Sequence, residues 1–280
     1  MAACTEWYTR TTRCRNGITE KTKYPVRYAD GRPGRSARRK AARKAGRAGD
    51  NAERIFARLL NNNFTEGRAV HLAMTYSPAG YRRLEARAAA IMQQLPGIPE
   101  RDAIFRAAQK EFENFVRRVQ YELKGFVYIA STSDMDGKSL EPERVHHHVV
   151  IEREALEICR RKWDKYGVIY ERELYSSNGD FTPLASYIIK QVREVPGTKR
   201  YTHSRNIELP EATEPRLVTR YSTSELSIPS GAQLLYRSPF TFGASQYVRY
   251  REPIRQSRGP TGPLHSSPGL CPYRPEAVPL

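Results

Sequence analysis

The sequence predicts an α+β fold in which helices pack on a largely antiparallel sheet, as in ferredoxin-like folds. Apolar residues recur at strand and helix spacing in the order strand, helix, strand, strand, helix, strand, helix. The loop between the second and third strands is too short to hold a helix, so these two strands are expected to pair antiparallel. The mean hydropathy is −0.68 and the sequence has no apolar stretch of about 20 residues, which excludes a membrane-spanning chain.

The strand and helix signals follow one another through the middle of the chain. They predict strands at 70–76, 126–130, 144–152 and 168–175, and helices at 52–60, 101–123, 155–163 and 182–191. Gly125 is expected to end the longest helix. Pro183 suits the first turn of the last helix, because a proline has no N–H to lose there.

Composition divides the chain into three regions. Residues 1–62 form a basic N-terminal region with a helical arm, and the first 30 residues show no clear period. Residues 63–210 hold the predicted α+β domain. Residues 211–280 form a C-terminal extension in which the apolar period weakens, and its prolines and glycines predict disorder beyond about residue 253.

The net charge of +17 indicates nucleic acid as a partner. Lysine and arginine number 47 against 30 aspartates and glutamates, and the isoelectric point is ≈ 9.9. Cationic side chains displace the counterions condensed on phosphates, so a chain this basic favours DNA or RNA. A charge that only keeps the protein soluble, or a ribosome-associated protein, would show the same balance.

An alanine-rich helix in the N-terminal region carries a dense set of positive charges. The charges fall on all sides of this helix, and a helix that is polar all round is not expected to pack in a core. The helix is then either an arm that binds the DNA backbone or a solvated linker. The residues assigned to DNA binding in it are Arg38, Arg39, Lys40 and Arg43.

The cysteines exclude a zinc ribbon. Cys4, Cys14, Cys159 and Cys271 are far apart and form no C-x-x-C pair. Scattered cysteines and the absence of an apolar run after Met1 lead us to expect a protein of the reducing cytoplasm of a host cell.

Three of the six histidines stand together inside an apolar strand segment, 145–151. Side chains alternate across a strand, so His146 and His148 are expected to share one face, about 7 Å apart along the backbone. His147 then faces the other way, with the neighbouring valines and isoleucine. Two imidazoles on one face can converge on a single cation. The alternative is a chance run of histidines that are partly buried and hydrogen-bonded.

The last predicted helix places a phenol beside an ammonium group. Tyr187 and Lys190 are three residues apart, on one helical face. A phenol with a pKa of about 10 is a weak nucleophile, but a cation on a phosphate and a nearby lysine would both ease its attack. Tyrosine occurs 17 times in the chain, so this pair alone indicates little. By itself Tyr187 is equally well interpreted as a packing aromatic.

Five segments together carry a resemblance to a known family. In chain order they are Asn63-Phe64 with His71-Leu72-Ala73-Met74-Thr75-Tyr76, His146-His147-His148-Val149-Val150-Ile151, Trp163 with Gly167, Leu184-Ala185-Ser186-Tyr187-Ile188-Ile189-Lys190-Gln191, and Lys199-Arg200-Tyr201 with Ser204-Arg205-Asn206. The set resembles the HUH endonucleases, and more narrowly the rolling-circle replication initiators of filamentous-phage and plasmid type. The resemblance spans roughly residues 63–210. The family has a hydrophobic residue where this chain has His147.

The resemblance implies an HUH-type sheet and a transesterification. Tyr187 would attack a phosphodiester of origin DNA, leaving a 5′-phosphotyrosine and a free 3′-hydroxyl. Mg²⁺ or Mn²⁺ would be held by His146 and His148, and Lys190 would stabilise charge. The family adds a third ligand from a neighbouring strand, for which Asp134 is the candidate. The alternative is that Asp134 and Asp136 cap the turn that follows.

The resemblance also implies partners. They are single-stranded or hairpin origin DNA, with a host helicase and polymerase. The basic cluster Lys199, Arg200 and Arg205 is either a contact for phosphates or solvated surface. A relaxase or a single-tyrosine transposase would use the same site. A non-catalytic module that binds DNA or RNA on a ferredoxin-like sheet is the alternative of a different class. Tyr201 is a possible second nucleophile, although packing suits it better.

Overall fold

A computed structural model describes residues 4–29, 31, 33–48, 51–136, 139, 141–218, 226–241 and 243–253 of the chain. The helices and strands in chain order are β1 (Cys4–Arg13), β2 (Ile18–Tyr28), α1 (Arg35–Ala48), α2 (Ala52–Asn63), β3 (Ala69–Tyr76), α3 (Pro78–Gln94), α4 (Glu100–Glu122), β4 (Tyr128–Met135), β5 (Pro142–Glu152), a 3₁₀ turn (Arg153–Ala155), α5 (Leu156–Trp163), β6 (Gly167–Glu173), α6 (Thr182–Lys190), β7 (Thr202–His203), β8 (Glu211–Ala212), β9 (Arg216–Leu217), β10 (Gln233–Arg237) and β11 (Gln246–Arg251). The predicted disorder beyond residue 253 falls outside the described residues.

The chain forms an α+β fold with two antiparallel sheets, and the larger part of the core surrounds the central one. This central sheet has five strands in the order β6-β3-β5-β4-β7, and every neighbouring pair is antiparallel. The expected antiparallel pairing of β4 with β5 is confirmed. Among the described residues, no helix is both long and apolar enough to cross a membrane.

Helices α3, α4 and α5 cover one face of the central sheet. Alternate residues of the strands, such as Leu72 and Met74 on β3 and Val149 on β5, pack there against Phe115 of α4 and Trp163 of α5. All of these side chains are fully or almost fully buried. This face therefore holds the main hydrophobic core, and its stabilisation comes chiefly from the removal of apolar surface from water.

Helices α2 and α6 cover only one end of the opposite face. Ile129 of β4 and Val150 of β5 pack there with Leu60 of α2 and Ile188 of α6 in a second core. Toward the other end of the strands, the residues of β3 on this face are only half-buried and those of β6 are exposed. The open half of this face is thus the part formed by β3 and β6, because His146 and His148 of β5 are buried.

The join between β3 and β6 needs a glycine. Gly167 begins β6 opposite Tyr76, and a Cβ at this position would lie 1.9 Å from the carbonyl oxygen of Thr75. The glycine of the Trp-then-Gly segment therefore has a local packing reason, because only a residue without a side chain lets the two backbones approach this closely.

The second sheet contains strands from both the first and the last part of the described chain. The hairpin β1–β2 lies at its centre, β11 pairs with β2, and β10 pairs with β11. The division at residues 62 and 210 stays a prediction, but strands from both outer regions share this one sheet. The apolar pattern predicts no strand at residues 4–28 or 246–251.

The expectation that α1 cannot pack is wrong. Ala42 is buried against Tyr24 of the hairpin, and the hydroxyl of Tyr24 donates a hydrogen bond of 3.0 Å to the carbonyl of Ala42. Ala41 and Ala45 lie in the same contact. The alanines form a narrow face that the surrounding arginines and lysines obscure in the sequence pattern.

Two further differences concern the central region. Helix α3 was not predicted, because its buried face consists only of Gly80, Leu84 and Ala88. Strand β4 is longer than the predicted 126–130 and continues through Ser131–Met135, so that Asp134 lies within a strand. Asp136, in contrast, does accept hydrogen bonds from the backbone and hydroxyl of Ser139, as a turn-capping acid would.

Candidate functional site

The strand β5 separates its histidines between the two faces of the central sheet, as the alternation predicts. His148 pairs across the sheet with Ser131 of β4 and with Ala73 of β3, and His146 pairs with Ser133 of β4. Residues directly opposite one another in an antiparallel pair share a face. His146 and His148 therefore lie on the face that α2 and α6 cover only in part.

The two imidazoles meet through their Nε2 atoms, which are 3.2 Å apart. The Nδ1–H of His146 donates to the carbonyl of Arg144 at 3.0 Å, and Nδ1 of His148 lies 3.1 Å from Nε2 of His71. A histidine that ligates a metal typically has its second ring nitrogen held in this way. With both Nδ1 atoms engaged, both Nε2 atoms are directed to one point.

A side-chain amide completes this group of donors. Oε1 of Gln191 lies 3.2 Å from Nε2 of His148, and Nε2 of Gln191 donates a 2.8 Å hydrogen bond to the carbonyl of Tyr187. The hydroxyl of Ser133 donates to the backbone carbonyl of Gln191 at 2.6 Å, so β4 holds the end of α6 in place. Gln191 thus links the histidines to the helix that carries Tyr187.

Burial keeps two histidines of this face, His71 and His148, neutral. Desolvation lowers the pKa of His148 well below 6.5, and the neighbouring His71 and His146 act in the same direction. Burial also lowers the pKa of His71 to about 4, with a smaller contribution from the charge of Arg172. A neutral imidazole has the free lone pair that a cation requires.

The donor set fits a small divalent cation. Two ligands that lie about 2.1 Å from an ion and at right angles around it are about 3.0 Å apart, close to the observed separation of the two Nε2 atoms. Ser131, opposite His148, has a buried hydroxyl oxygen with no hydrogen-bond partner among the described residues. Among the described residues, no three His, Cys, Asp or Glu side chains are placed to hold a metal ion. The third polar atom beside the two imidazoles is Oε1 of Gln191.

Tyr187 lies at the border of the histidine pair. Its ring centroid is 5.8 Å from that of His148, with the rings at 70° to each other, and the side chain is 40% exposed. Lys190, one turn further along α6, is also exposed. The structure therefore places the exposed Tyr187 beside the pair His146 and His148, which are themselves buried.

The open half of the sheet face continues away from the histidines across β3 and β6. Ala73 lies between His148 and Tyr170, and the exposed Tyr170 and Val168 share this face. Because neighbouring strands are about 4.8 Å apart, Tyr170 is roughly 10 Å from His148 between Cα atoms. The small side chain of Ala73 thus separates the buried His148 from the exposed ring of Tyr170.

Asp134 is not part of this group. Its carboxylate Oδ2 accepts hydrogen bonds from Arg101 of α4 at 2.7 Å and from Arg193 at 3.0 and 3.2 Å. It is buried on the face covered by α4, away from His146 and His148. Its charge is thus compensated by two guanidinium groups that join β4 to α4 and to the segment after α6.

His147 lies on the opposite face and has a complete set of partners. Its Nε2 is 2.7 Å from the hydroxyl of Tyr76, and its Nδ1 is 3.1 Å from the hydroxyl of Thr132. The imidazole packs against the rings of Phe112 and Trp163 and is 0% exposed. Burial, with a smaller effect of His146, lowers its pKa to about 3.

The basic residues assigned to DNA binding on α1 lie on the second sheet. Arg38 pairs with Glu6, and Arg39 and Arg43 both pair with Glu214, while Lys40 is exposed. These contacts hold α1 and the region of β8 and β9 together. The structure does not bring these residues next to His146 and His148.

The second basic cluster follows α6. Arg200 donates to the carbonyl of Ile189 and pairs with Glu194. Lys199 and Arg205 line a cleft of ≈ 520 Å³ beside β4 and β7. Of the seven residues assigned to DNA binding, these three are the ones that lie near the central sheet.

Two members of the site were missed as functional residues. The role of His71 depends on its distance to His148, which the sequence cannot provide without the pairing of β3 with β5. Gln191 follows Tyr187 by four residues, a spacing that places both on one side of a helical turn and could have served as a signal. Comparison with protein families, with curated proteins and with solved structures gives no match for this chain.

Proposed function

We propose that this chain nicks and rejoins single-stranded DNA through Tyr187, in the manner of a rolling-circle replication initiator of the HUH type. The observation that carries the proposal is the convergence of two imidazole nitrogens and one amide oxygen beside an exposed tyrosine. The net charge of +17 and the open sheet face beside the site support a polyanionic strand as substrate.

The proposed reaction is a transesterification. The phenolic oxygen of Tyr187 forms a bond to the phosphorus of a phosphodiester, and the bond from phosphorus to the 3′-oxygen breaks. The proton lost by the phenol is balanced by the proton that the 3′-oxygen gains. The product is a 5′-phosphotyrosine with a free 3′-hydroxyl, and reversal of the step rejoins the strand without an external energy source.

His146, His148 and Gln191 would hold Mg²⁺ or Mn²⁺. When bound, such an ion polarises the scissile phosphate and stabilises its developing charge. The chain itself sets the ligand tautomers, since Arg144 accepts from Nδ1 of His146 and His71 contacts Nδ1 of His148. Lys190 would add positive charge one helical turn from the nucleophile.

The open half of the sheet face suits an unpaired strand. A base can stack on the exposed ring of Tyr170 while the backbone crosses Ala73 toward the histidines. A duplex would present its paired bases inside the helix and gain nothing from this ring. The proposed substrate is therefore single-stranded DNA, including the unpaired part of a hairpin.

The test is the formation of a covalent adduct. The protein is incubated with Mn²⁺ and a pool of random-sequence single-stranded DNA labelled at the 3′ end and is denatured in SDS. One part of the sample is separated on a gel, and the other part is digested with trypsin. We expect a labelled protein band with Mn²⁺ and none with EDTA, and we expect mass spectrometry to find the nucleotide phosphate on the peptide that contains Tyr187.

Two variants make this test specific. Tyr187→Phe removes only the nucleophilic oxygen and should abolish the adduct, whereas Tyr170→Phe removes a hydroxyl from the same sheet face and should leave it intact. An adduct that persists in Tyr187→Phe, or that maps to another tyrosine, would show that the nucleophile is misassigned.

A further inference from the structure

A groove of ≈ 410 Å³ lies between the second sheet and the helices α2 and α6, outside the group of donors described above. The helices contribute Arg54, Pro183 and Ser186, and the strands β10 and β11 contribute Tyr236, Tyr247 and Arg249. The ring of Tyr236 is 47% exposed, whereas Tyr247 is mostly buried at 9%. The groove therefore has an accessible aromatic wall on the side of the second sheet.

Ion pairs and hydrogen bonds fix the two walls of this groove relative to each other. The buried Arg58 of α2 donates two hydrogen bonds to Glu20 of β2, at 2.7 and 3.0 Å. Arg249 of β11 lies 2.8 Å from Asp180, two residues before α6. These buried contacts seat the second sheet on the start of the helix that carries Tyr187.

The groove opens along the exposed side of α6. Pro183 and Ser186 line it, and Tyr187 lies one turn after Pro183 on the same exposed side. Four residues of an α-helix rise about 6 Å, which is close to the spacing of neighbouring nucleotides in an extended strand. A strand whose phosphate lies at Tyr187 would thus place the adjacent nucleotide at the mouth of the groove.

The chemistry of the lining suits a nucleobase better than a phosphate. Its charged side chains are Glu20, Glu53, Arg54 and Arg249, two of each sign. Arg54 and Arg249 lie over aromatic rings, with guanidinium carbons 4.3 Å from the ring centre of Tyr247 and 5.8 Å from that of Tyr236. A nearly neutral groove with aromatic and hydroxyl groups offers stacking and hydrogen bonds, as base-binding sites on single-strand binding proteins do.

We infer that this groove binds one unpaired nucleobase of the DNA strand, next to the phosphate that Tyr187 attacks, with Tyr236 as the stacking surface. The inference rests on the proposed function for the identity of the strand. It gives the second sheet a role in the reaction, because that sheet supplies the aromatic wall and α6 supplies both the opposite wall and the nucleophile.

The test measures strand binding without cleavage. The full chain with Tyr187→Phe is titrated into fluorescein-labelled oligothymidylate in EDTA, and fluorescence anisotropy gives the affinity. We expect Tyr236→Ala to weaken binding about tenfold, the effect of losing one stacked base, and Tyr236→Phe to restore it. The matched control is Tyr121→Ala, which removes an exposed tyrosine from α4 and should leave the affinity unchanged.

A second measurement locates the base. Oligothymidylate that carries 5-iododeoxyuridine is irradiated with the same protein, and the cross-linked peptide is identified by mass spectrometry. We expect the cross-link on the peptide that contains Tyr236. An unchanged affinity of Tyr236→Ala in a variant that melts like the parent, or cross-links only elsewhere, would overturn the inference.

The two proposals can fail separately. If the cross-link and the effect of Tyr236→Ala are found but no Tyr187 adduct forms, the groove remains a nucleobase site and the nicking reaction is wrong. If the adduct forms on Tyr187 and Tyr236→Ala changes nothing, only the groove is wrong.

Discussion

His147 and its two neighbours on β5 are the same residue type in consecutive positions, yet the structure gives them opposite environments. His147 is enclosed by aromatic rings and hydrogen-bonded at both ring nitrogens. His146 and His148 are also buried, but they face each other through Nε2 atoms next to the exposed Tyr187. One strand thus serves the core on one face and a candidate reaction site on the other.

The contacts of His147 on one face of β5 hold the two histidines of the other face in position. The face with His147 anchors β5 to β3 and β4 through Tyr76 and Thr132, so the backbone that carries His146 and His148 is fixed from behind. The proposed chemistry uses the Nε2 atoms of His146 and His148, which lie on the other face of the strand. Substitutions on the two faces should therefore change different observables.

The largest expected effect is on the rate of adduct formation. His146→Asn removes one of the converging Nε2 atoms, and we expect the Mn²⁺-dependent rate to fall by about 100-fold or more, with little change in the free energy of unfolding. The measurement is single-turnover adduct formation at saturating DNA. A rate equal to that of the parent would remove His146 from the reaction.

A substitution on the face that packs in the core should instead lower stability more than the reaction rate. His147→Ala leaves the hydroxyls of Tyr76 and Thr132 without their partner and creates a cavity, so we expect the free energy of unfolding in urea to fall by about 3 kcal/mol. The rate of adduct formation by the folded protein should change less than for His146→Asn. Loss of the rate with stability unchanged would reverse the assignment of the two faces.

A lower pH should destabilise the folded protein mainly because the buried, neutral histidines gain a proton only on unfolding. His147 has a pKa of about 3 in the folded protein and about 6.5 when unfolded, so below pH 6.5 only the unfolded chain gains its proton. The contribution of His147 to the free energy of unfolding is fully present above pH 6.5. It decreases as the pH falls, by about 2 kcal/mol at pH 5. Urea unfolding at pH 7 and pH 5 should show that His147→Phe loses less stability on acidification than the parent chain does. An equal loss in both proteins would exclude this cause.

The smallest effect is expected for the amide donor. Gln191→Ala removes Oε1 from the group around Nε2 of His148, and we expect the affinity for Mn²⁺, measured by titration calorimetry, to fall about tenfold. Gln109→Ala on α4 is the matched control, since its side chain contacts the carbonyl of Lys199 instead. Equal affinities for both variants would exclude Gln191 as a ligand.

The sequence was sufficient for those features that depend on a local period. The alternation of a strand predicts that His147 faces away from His146 and His148, and helical spacing predicts α2, α4, α5 and α6. The hairpin β1–β2 could not be predicted in this way. Its buried positions include Glu6, Glu20 and Lys23, and such charged residues hide the apolar period of a strand.

Features that depend on the pairing of distant segments could not be predicted from the sequence either. The third position of the donor set was assigned to Asp134 because the family resemblance implies a ligand from a neighbouring strand, but Arg101 and Arg193 hold that carboxylate on the other face. Which face a residue of β4 occupies follows from its register with β5, and its partners come from α4 and the segment after α6. Neither fact is encoded in the residues next to Asp134.

The most direct test of the central claim is the coordination of Mn²⁺ by the two imidazoles. Pulsed electron paramagnetic resonance of the protein with bound Mn²⁺, labelled with ¹⁵N at histidine, should show coupling to two imidazole nitrogens. His146→Asn should reduce this to one nitrogen, and His147→Phe should leave both. A spectrum without histidine coupling, or one that His146→Asn does not change, would contradict the claim.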